Sequence, residues 1–208
     1  PNLYDITVEL ICQDGEVLVS KTVRRGFRTV KLCRSDIVEP NGRFEFVVNG
    51  KRIMATGTNW VPMDAYHSRD NSRYAKALAM ADDLGCNIIR CWGGNVYEDH
   101  DFFNFCDEHG IMVWQDFAMA CHIYPQHRKF MEKLEKEAEW VVKELRDHPS
   151  LVLWSGDNEI DSCVASQNVD PDTNRLTREV LPSVIARLDP FRPYIASSPY
   201  ISSKAFNM

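Results

Sequence analysis

The sequence predicts an α/β fold: a (β/α)₈ barrel with about five of its eight strands present, preceded by the last strands of an antiparallel β-domain. Three observations carry this. From residue 53 onward, five short apolar segments alternate strictly with four helical ones, the pattern of a parallel sheet covered by helices. Polar residues gather just past the carboxyl ends of those segments, at Asn59, Arg90, Gln115-Asp116, Asn158-Glu159 and Ser197-Ser198. A barrel builds its site at that rim from several strands. Before residue 40 the apolar period is two instead. No glycine-rich dinucleotide fingerprint follows a strand, which argues against a doubly wound sheet. A complete barrel takes about 250 residues, so the chain is expected to stop after five units. Pro1, with neither methionine nor leader, reads as an excision point in a longer protein.

The elements follow in order. Tyr4, Ile6, Val8 and Leu10 alternate with polar residues, and Val17, Val19 and Val23 do so after Asp14-Gly15, which together predict a hairpin. Residues 27–32 form one more strand, and Pro40-Asn41-Gly42 marks the boundary between units 1–42 and 43–208. Residues 44–48 and 53–55 flank Asn49-Gly50 as a second hairpin, and residues 53–59 run on as the first barrel strand. Residues 72–84 carry Tyr74, Leu78, Ala81 and Leu84 on one helical face, stopped by Gly85. Strand 87–91, helix 101–109 closed by Gly110, and strand 111–116 come next. Helix 126–146 turns Phe130, Leu134, Ala138, Val141 and Leu145 inward. Strand 151–154, helix 175–188 despite Pro182, and strand 194–197 complete the five units.

Composition sets the outer limits. The 208 residues are 44% hydrophobic and 26% charged, enough apolar material for a core, so disorder is excluded as the main description. No apolar run approaches the roughly 18 residues a membrane helix needs. The net charge is −6 with no basic stripe, which argues against nucleic-acid binding. Seven cysteines without a CxxC pair argue against a disulfide scaffold, and those in apolar strings read as reduced core thiols. His100, Cys106, His109, Cys121, His122 and His127 fall within 28 positions, but their spacing forms no zinc pattern and no metal site is expected.

The chemistry concentrates in one string, Asp147-His148-Pro149-Ser150, then 151–154, then Ser155-Gly156-Asp157-Asn158-Glu159. A carboxylic acid ending a buried strand is a candidate general acid/base, because partial burial raises a carboxyl pKa and a neighbouring amide can hold a substrate hydroxyl.

This string resembles the acid/base motif of family 2 glycoside hydrolases. Other segments resemble that family in the same order: Gly26-Phe27-Arg28-Thr29-Val30, Phe46-Val47-Val48-Asn49-Gly50, Gly57-Thr58-Asn59-Trp60, Asn87-Ile88-Ile89-Arg90 and Cys106-Asp107-Glu108-His109-Gly110. Arg90-Cys91-Trp92-Gly93-Gly94, Tyr97-Glu98 and Trp114-Gln115-Asp116-Phe117 resemble its β-mannosidase branch. The resemblance implies that residues 1–42 end an immunoglobulin-like β-sandwich and that residues 43–208 begin the catalytic barrel. It implies a retaining hydrolase of terminal β-linked sugars, β-mannosides first, with β-galactosidase, exo-β-glucosaminidase or a non-catalytic carbohydrate-binding homologue as the alternatives. Glu159 would be the acid/base and Asn158 the partner of the sugar 2-hydroxyl. Trp92 would line the subsite of the sugar being cleaved, since an aromatic face packs on the C–H face of a sugar. Arg90 would keep a nucleophilic glutamate ionised, and that glutamate would end a seventh strand, beyond this chain. Asp116 would contact a hydroxyl or orient Arg90, and Trp60 and Asp64 would border the pocket or pack behind it.

No cofactor is implied, and the expected partner is a carbohydrate substrate, with neither nucleic acid nor membrane. A periplasmic, secreted or lysosomal parent all agree with the sequence. The isolated chain, with open barrel edges, is expected to self-associate and to be inactive. Two positions and one stretch depart from the family pattern. Asn95 replaces a third glycine, Asp157 stands where glycine or asparagine is more usual, and residues 161–170 lack tryptophan.

Overall fold

The computed structural model describes residues 1–35 and 42–208. Its centre is a five-stranded parallel sheet of β6 (Gly57–Trp60), β7 (Ile88–Cys91), β8 (Met112–Asp116), β9 (Leu151–Ser155) and β10 (Tyr194–Ile195), with strand order equal to chain order. Helices α1 (Asn71–Asp83), α2 (His100–His109), α3 (Arg128–Leu145) and α5 (Leu181–Leu188) connect successive strands, and a short α4 (Ile160–Ala165) precedes α5. That is the one-strand, one-helix succession of a barrel, extending over five strands. A short α6 (Ser203–Phe206) follows β10. Among the described residues, no helix is long and apolar enough to cross a membrane.

Along β7 and β8, period-two alternation sorts the side chains into two layers. Trp60, Ile89, Cys91, Val113 and Leu151 face the helices, packing on Leu78, Phe102, Phe103, Ala138, Val141 and Leu181. Ile88, Met112, Trp114 and Ile195 face the opposite, concave side, where they meet Val30, Phe46 and Val48. The latter come from a three-stranded antiparallel sheet of β3 (Val30–Arg34), β4 (Phe44–Val48) and β5 (Lys51–Ile53). Arg90 lies two residues after Ile88, and Asp116 two after Trp114. Both are therefore carried to the concave face.

The expected first barrel strand over 53–59 is two strands. β5 pairs antiparallel with β4, whereas β6 pairs parallel with β7. The chain changes partners across residues 54–56, and Asn87 holds the break. Its side chain accepts from Thr56 N at 2.9 Å and donates to Met54 O at 2.7 Å. Gly57 then runs against β7 so closely that a Cβ there would stand 1.7 Å from Ile88 O. Gly57→Ala is accordingly expected to break the β6–β7 pairing, read as loss of amide-exchange protection at residues 57–60 and 88–91.

The expected helix 175–188 opens as a π-helical turn over Leu176–Val180 before α5 begins. Pro182 lacks the N–H that an α-helix would bond to Arg178 O, and its ring crowds that carbonyl, so the preceding turn widens. Strand 194–197 is regular only over Tyr194–Ile195.

β1 (Tyr4–Ile11) and β2 (Val17–Arg25) form the predicted hairpin. The boundary residues Pro40 and Asn41 lie outside the described residues. β3, expected to belong with the N-terminal unit, pairs along its whole length with β4 across that boundary.

The amino ends of the strands are held by polar residues. Asp107 accepts from Ser150 N at 2.8 Å and pairs with His148 Nδ1 at 2.6 Å. Arg192 donates to the carbonyls of Leu151, Arg146 and His148. Asp147-His148-Pro149-Ser150 therefore sits at the opposite end of β9 from Glu159, where it serves the fold.

Candidate active site

Arg90 organises the carboxyl end of the sheet. Its guanidinium grips Asp116 with Nη2 at 2.6 Å and Nε at 3.3 Å. The same Nη2 donates to Asn158 Oδ1 at 2.9 Å, and Nη1 reaches Asn59 Oδ1 at 3.5 Å. Strands β6, β7, β8 and the turn after β9 thus converge on one cation. Asp116 also accepts from Gly93 N at 3.0 Å and from the Trp114 indole N–H at 3.0 Å. The Asp116 carboxylate is thus shared among Arg90, Gly93 and Trp114. Burial pushes its carboxyl up to about 6, with the Arg90 charge and hydrogen bonds opposing the rise.

Beyond β9 the chain turns sharply. Gly156 passes so near β10 that a Cβ would meet Ala196 O at 2.2 Å. Asn158 N donates to Met119 O, and Cys121 N donates to Asn158 O, both at 2.9 Å, so the β8 and β9 rims are stitched together. The Asn158 amide is shared between Arg90 on its oxygen and Cys121 Sγ, 3.3 Å from Nδ2. Glu159 adopts a left-handed backbone, φ 63° and ψ 14°. Its carboxylate accepts from the Cys121 thiol at 3.4 Å. In this chain, which ends its sheet at β10, the Glu159 side chain is exposed on the rim at the start of α4.

Trp92 is half-buried, and its ring lies over Gly94, where a Cβ would fall 2.1 Å from the indole. Trp60 is only 4% exposed, facing α2 with its N–H donated to Glu98 at 3.0 Å. Asn95 also donates to Glu98, at 3.1 Å, which gives this departure from the family pattern a local task. Asp64 accepts from Tyr66 N at 3.0 Å and pairs with Arg73, on the first turn of α1, at 3.1 Å. Arg90, Asp116, Asn158 and Glu159 are therefore brought together, with Trp92 at the adjoining rim turn. Trp60 packs behind the rim on Phe102 of α2, and Asp64 pairs with Arg73 of α1.

Two neighbours carry weight that the sequence reading did not give them. Cys121, with φ 48°, places its thiol against both Asn158 and Glu159. Asp157 is fully buried, and burial pushes its carboxyl up to about 7, with Asp161 and Asp116 adding to the rise. Cys121 has no motif signal, and Asp157 shows in the sequence only as a departure within the acid/base string, since the contacts of each depend on a loop conformation. Of the other histidines in the cysteine–histidine stretch, His109 pairs with Asp82 and His127 caps α3. No group of three metal-binding side chains occurs among the described residues.

The raised Asp157 carboxyl has a consequence for stability. In the folded chain the proton is held up to about pH 7, whereas an unfolded aspartate releases it near its ordinary 3.8. The stabilising contribution is therefore complete below the unfolded value and lost as pH rises through 7. Thermal melts of wild type and Asp157→Asn should diverge between pH 5 and pH 8, with the variant gaining about 1–3 kcal/mol relative to wild type. A gap independent of pH would contradict the assignment.

Residues 42–197 match the profile of glycosyl hydrolases family 2, TIM barrel domain. A β-mannosidase of Rattus norvegicus is 36% identical over 208 residues, covering 94% of this chain and 24% of that protein. A β-mannosidase of Capra hircus is 34% identical, covering 97% of this chain and 24% of that protein. The crystal structure of a β-D-mannosidase from Dictyoglomus thermophilum superposes with a TM-score of 0.89 at 40% identity, covering all of this chain and 26% of that one. The chain thus spans about a quarter of the length of the relatives it matches. With its parallel strands in barrel order and the family profile matched across them, the chain belongs to the family 2 glycosyl hydrolases and carries part of their TIM barrel domain.

Proposed function

We propose that the full-length protein is a retaining β-glycosidase acting on terminal β-mannosides, with Glu159 as its general acid/base. The observation that carries this is the pairing of an exposed carboxylate, Glu159, with an adjacent amide, Asn158, that is fixed by the buried Arg90–Asp116 ion pair. In the first step Glu159 protonates the departing glycosidic oxygen while a second carboxylate attacks the anomeric carbon. In the second step Glu159 takes a proton from the water that releases the sugar. Retaining enzymes hold the two carboxyl groups roughly 5–5.5 Å apart, and the second would come from a later strand of the same barrel. Arg90 supplies the positive charge that keeps such a nucleophile ionised. Asn158 would hold the sugar 2-hydroxyl, and Trp92 would pack on a sugar face. The β-mannoside preference is supported by the likeness to two curated β-mannosidases and to the Dictyoglomus thermophilum structure.

The same reading makes residues 1–42 the end of an immunoglobulin-like sandwich. The hairpin supports it: Val8 (64%), Leu10 (60%) and Val19 (58%) are exposed, and a two-stranded ribbon does not stand alone. β6 and β10 are open edges among the described residues, so the isolated chain is expected to self-associate and to be inactive. The test of function is a panel of 4-nitrophenyl β-mannoside, β-galactoside, β-glucuronide and β-glucosaminide with the full-length protein. Release from the mannoside alone supports the proposal. Release from another sugar keeps the mechanism and discards the specificity, and release from none favours a binding protein.

A further inference from the structure

We propose that Asp157 is a positioning residue whose carboxyl clamps the turn that presents Glu159. The proposal rests on the acid/base reading of Glu159. The two peptide units that flank the Glu159 Cα are both pinned. Glu159 N donates to Ser198 O at 3.0 Å, which fixes the unit before it. Ile160 N donates to Asp157 Oδ1 at 3.0 Å, which fixes the unit after it. Together they set φ and ψ of Glu159 in a region that a residue with a Cβ occupies only when its surroundings impose it.

Asp157 Oδ1 accepts a second hydrogen bond, from the Ser197 hydroxyl beyond β10. Its carbonyl accepts from Ser198 N at 3.2 Å and from the Ser155 hydroxyl at 3.3 Å. One buried residue therefore joins the end of β9, the segment after β10 and the start of α4, with Glu159 between them. The other carboxyl oxygen, Oδ2, is buried with no hydrogen-bond partner in the structure. An unsatisfied buried oxygen costs stability.

The experiment compares wild type, Asp157→Ala, Asp157→Asn and Ser197→Ala in the full-length protein. Substrates are methyl β-mannoside, which needs its leaving group protonated, and 2,4-dinitrophenyl β-mannoside, which does not. Asp157→Ala is expected to lower kcat on the methyl glycoside by about 30-fold, within the range of a misplaced general acid, with little change in KM. The dinitrophenyl glycoside should lose far less. Asp157→Asn keeps the Oδ1 acceptor and should rescue most of the loss. A crystal structure of Asp157→Ala should show Glu159 out of the positive-φ region. Equal losses on both glycosides, or an unmoved Glu159 in that structure, would overturn the proposal. If Asp157→Ala does not fold, Ser197→Ala removes one of the two hydrogen bonds that hold Asp157 Oδ1 and is read in the same two ways. If wild type cleaves neither glycoside, the functional reading fails, while the variant's structure still decides the role of Asp157.

Discussion

Glu159→Gln in the full-length protein is expected to lower kcat on unactivated β-mannosides by about 10²–10⁴-fold, the usual contribution of a positioned general acid. The glutamine keeps the size and the left-handed turn but has no proton to give the departing oxygen. Aryl mannosides with good leaving groups depart without that proton, so their first step should slow much less. Their second step still needs a base to activate water, so a covalent sugar–enzyme intermediate should accumulate as a burst. Rates for a series of leaving groups check both statements. Parental turnover of an unactivated mannoside would remove Glu159 from the acid/base role.

Asp116→Ala should be the most damaging change to the site's scaffold. It strips Arg90 of a two-pronged partner whose side chain is fully buried, and leaves the Trp114 and Gly93 N–H groups without their acceptor. Breaking a buried ion pair from one side costs about 3–5 kcal/mol because the remaining charge is left unpaired. In the full-length protein this is read as a lower Tm. The double variant Arg90→Met with Asp116→Ala removes the orphaned charge and should recover part of the loss. Thermal melts of the three proteins decide it. A single variant as stable as wild type would mean that the pair contributes nothing to the fold.

The barrel was legible because its grammar is local. Apolar segments at 87–91, 111–116 and 151–154, each followed by a helical stretch, become β7, β8 and β9 with α2, α3 and α5 between or after them. Period-two alternation also implies that Arg90 and Asp116 share a face, since each lies an even number of residues from a concave-facing apolar neighbour. Where a rule depends on a partner distant in sequence, the reading erred. Residues 53–59 look continuous, yet Asn87 bonds both sides of residues 54–56 and divides them between two sheets.

By itself the sequence determined the strand and helix order and the rim that carries the chemistry, because backbone preference and apolar periodicity act over a few residues; the resemblance to family 2 singled out Arg90, Asp116, Asn158 and Glu159 on that rim. The tertiary structure decided which of those candidates meet. It turned Asp116 toward Arg90, set Cys121 against Glu159, and buried Asp157 between β9, β10 and α4. The reason is physical. A hydrogen bond or ion pair across 26 or 40 positions exists only after several strands have closed side by side, and no short stretch of sequence records that distance.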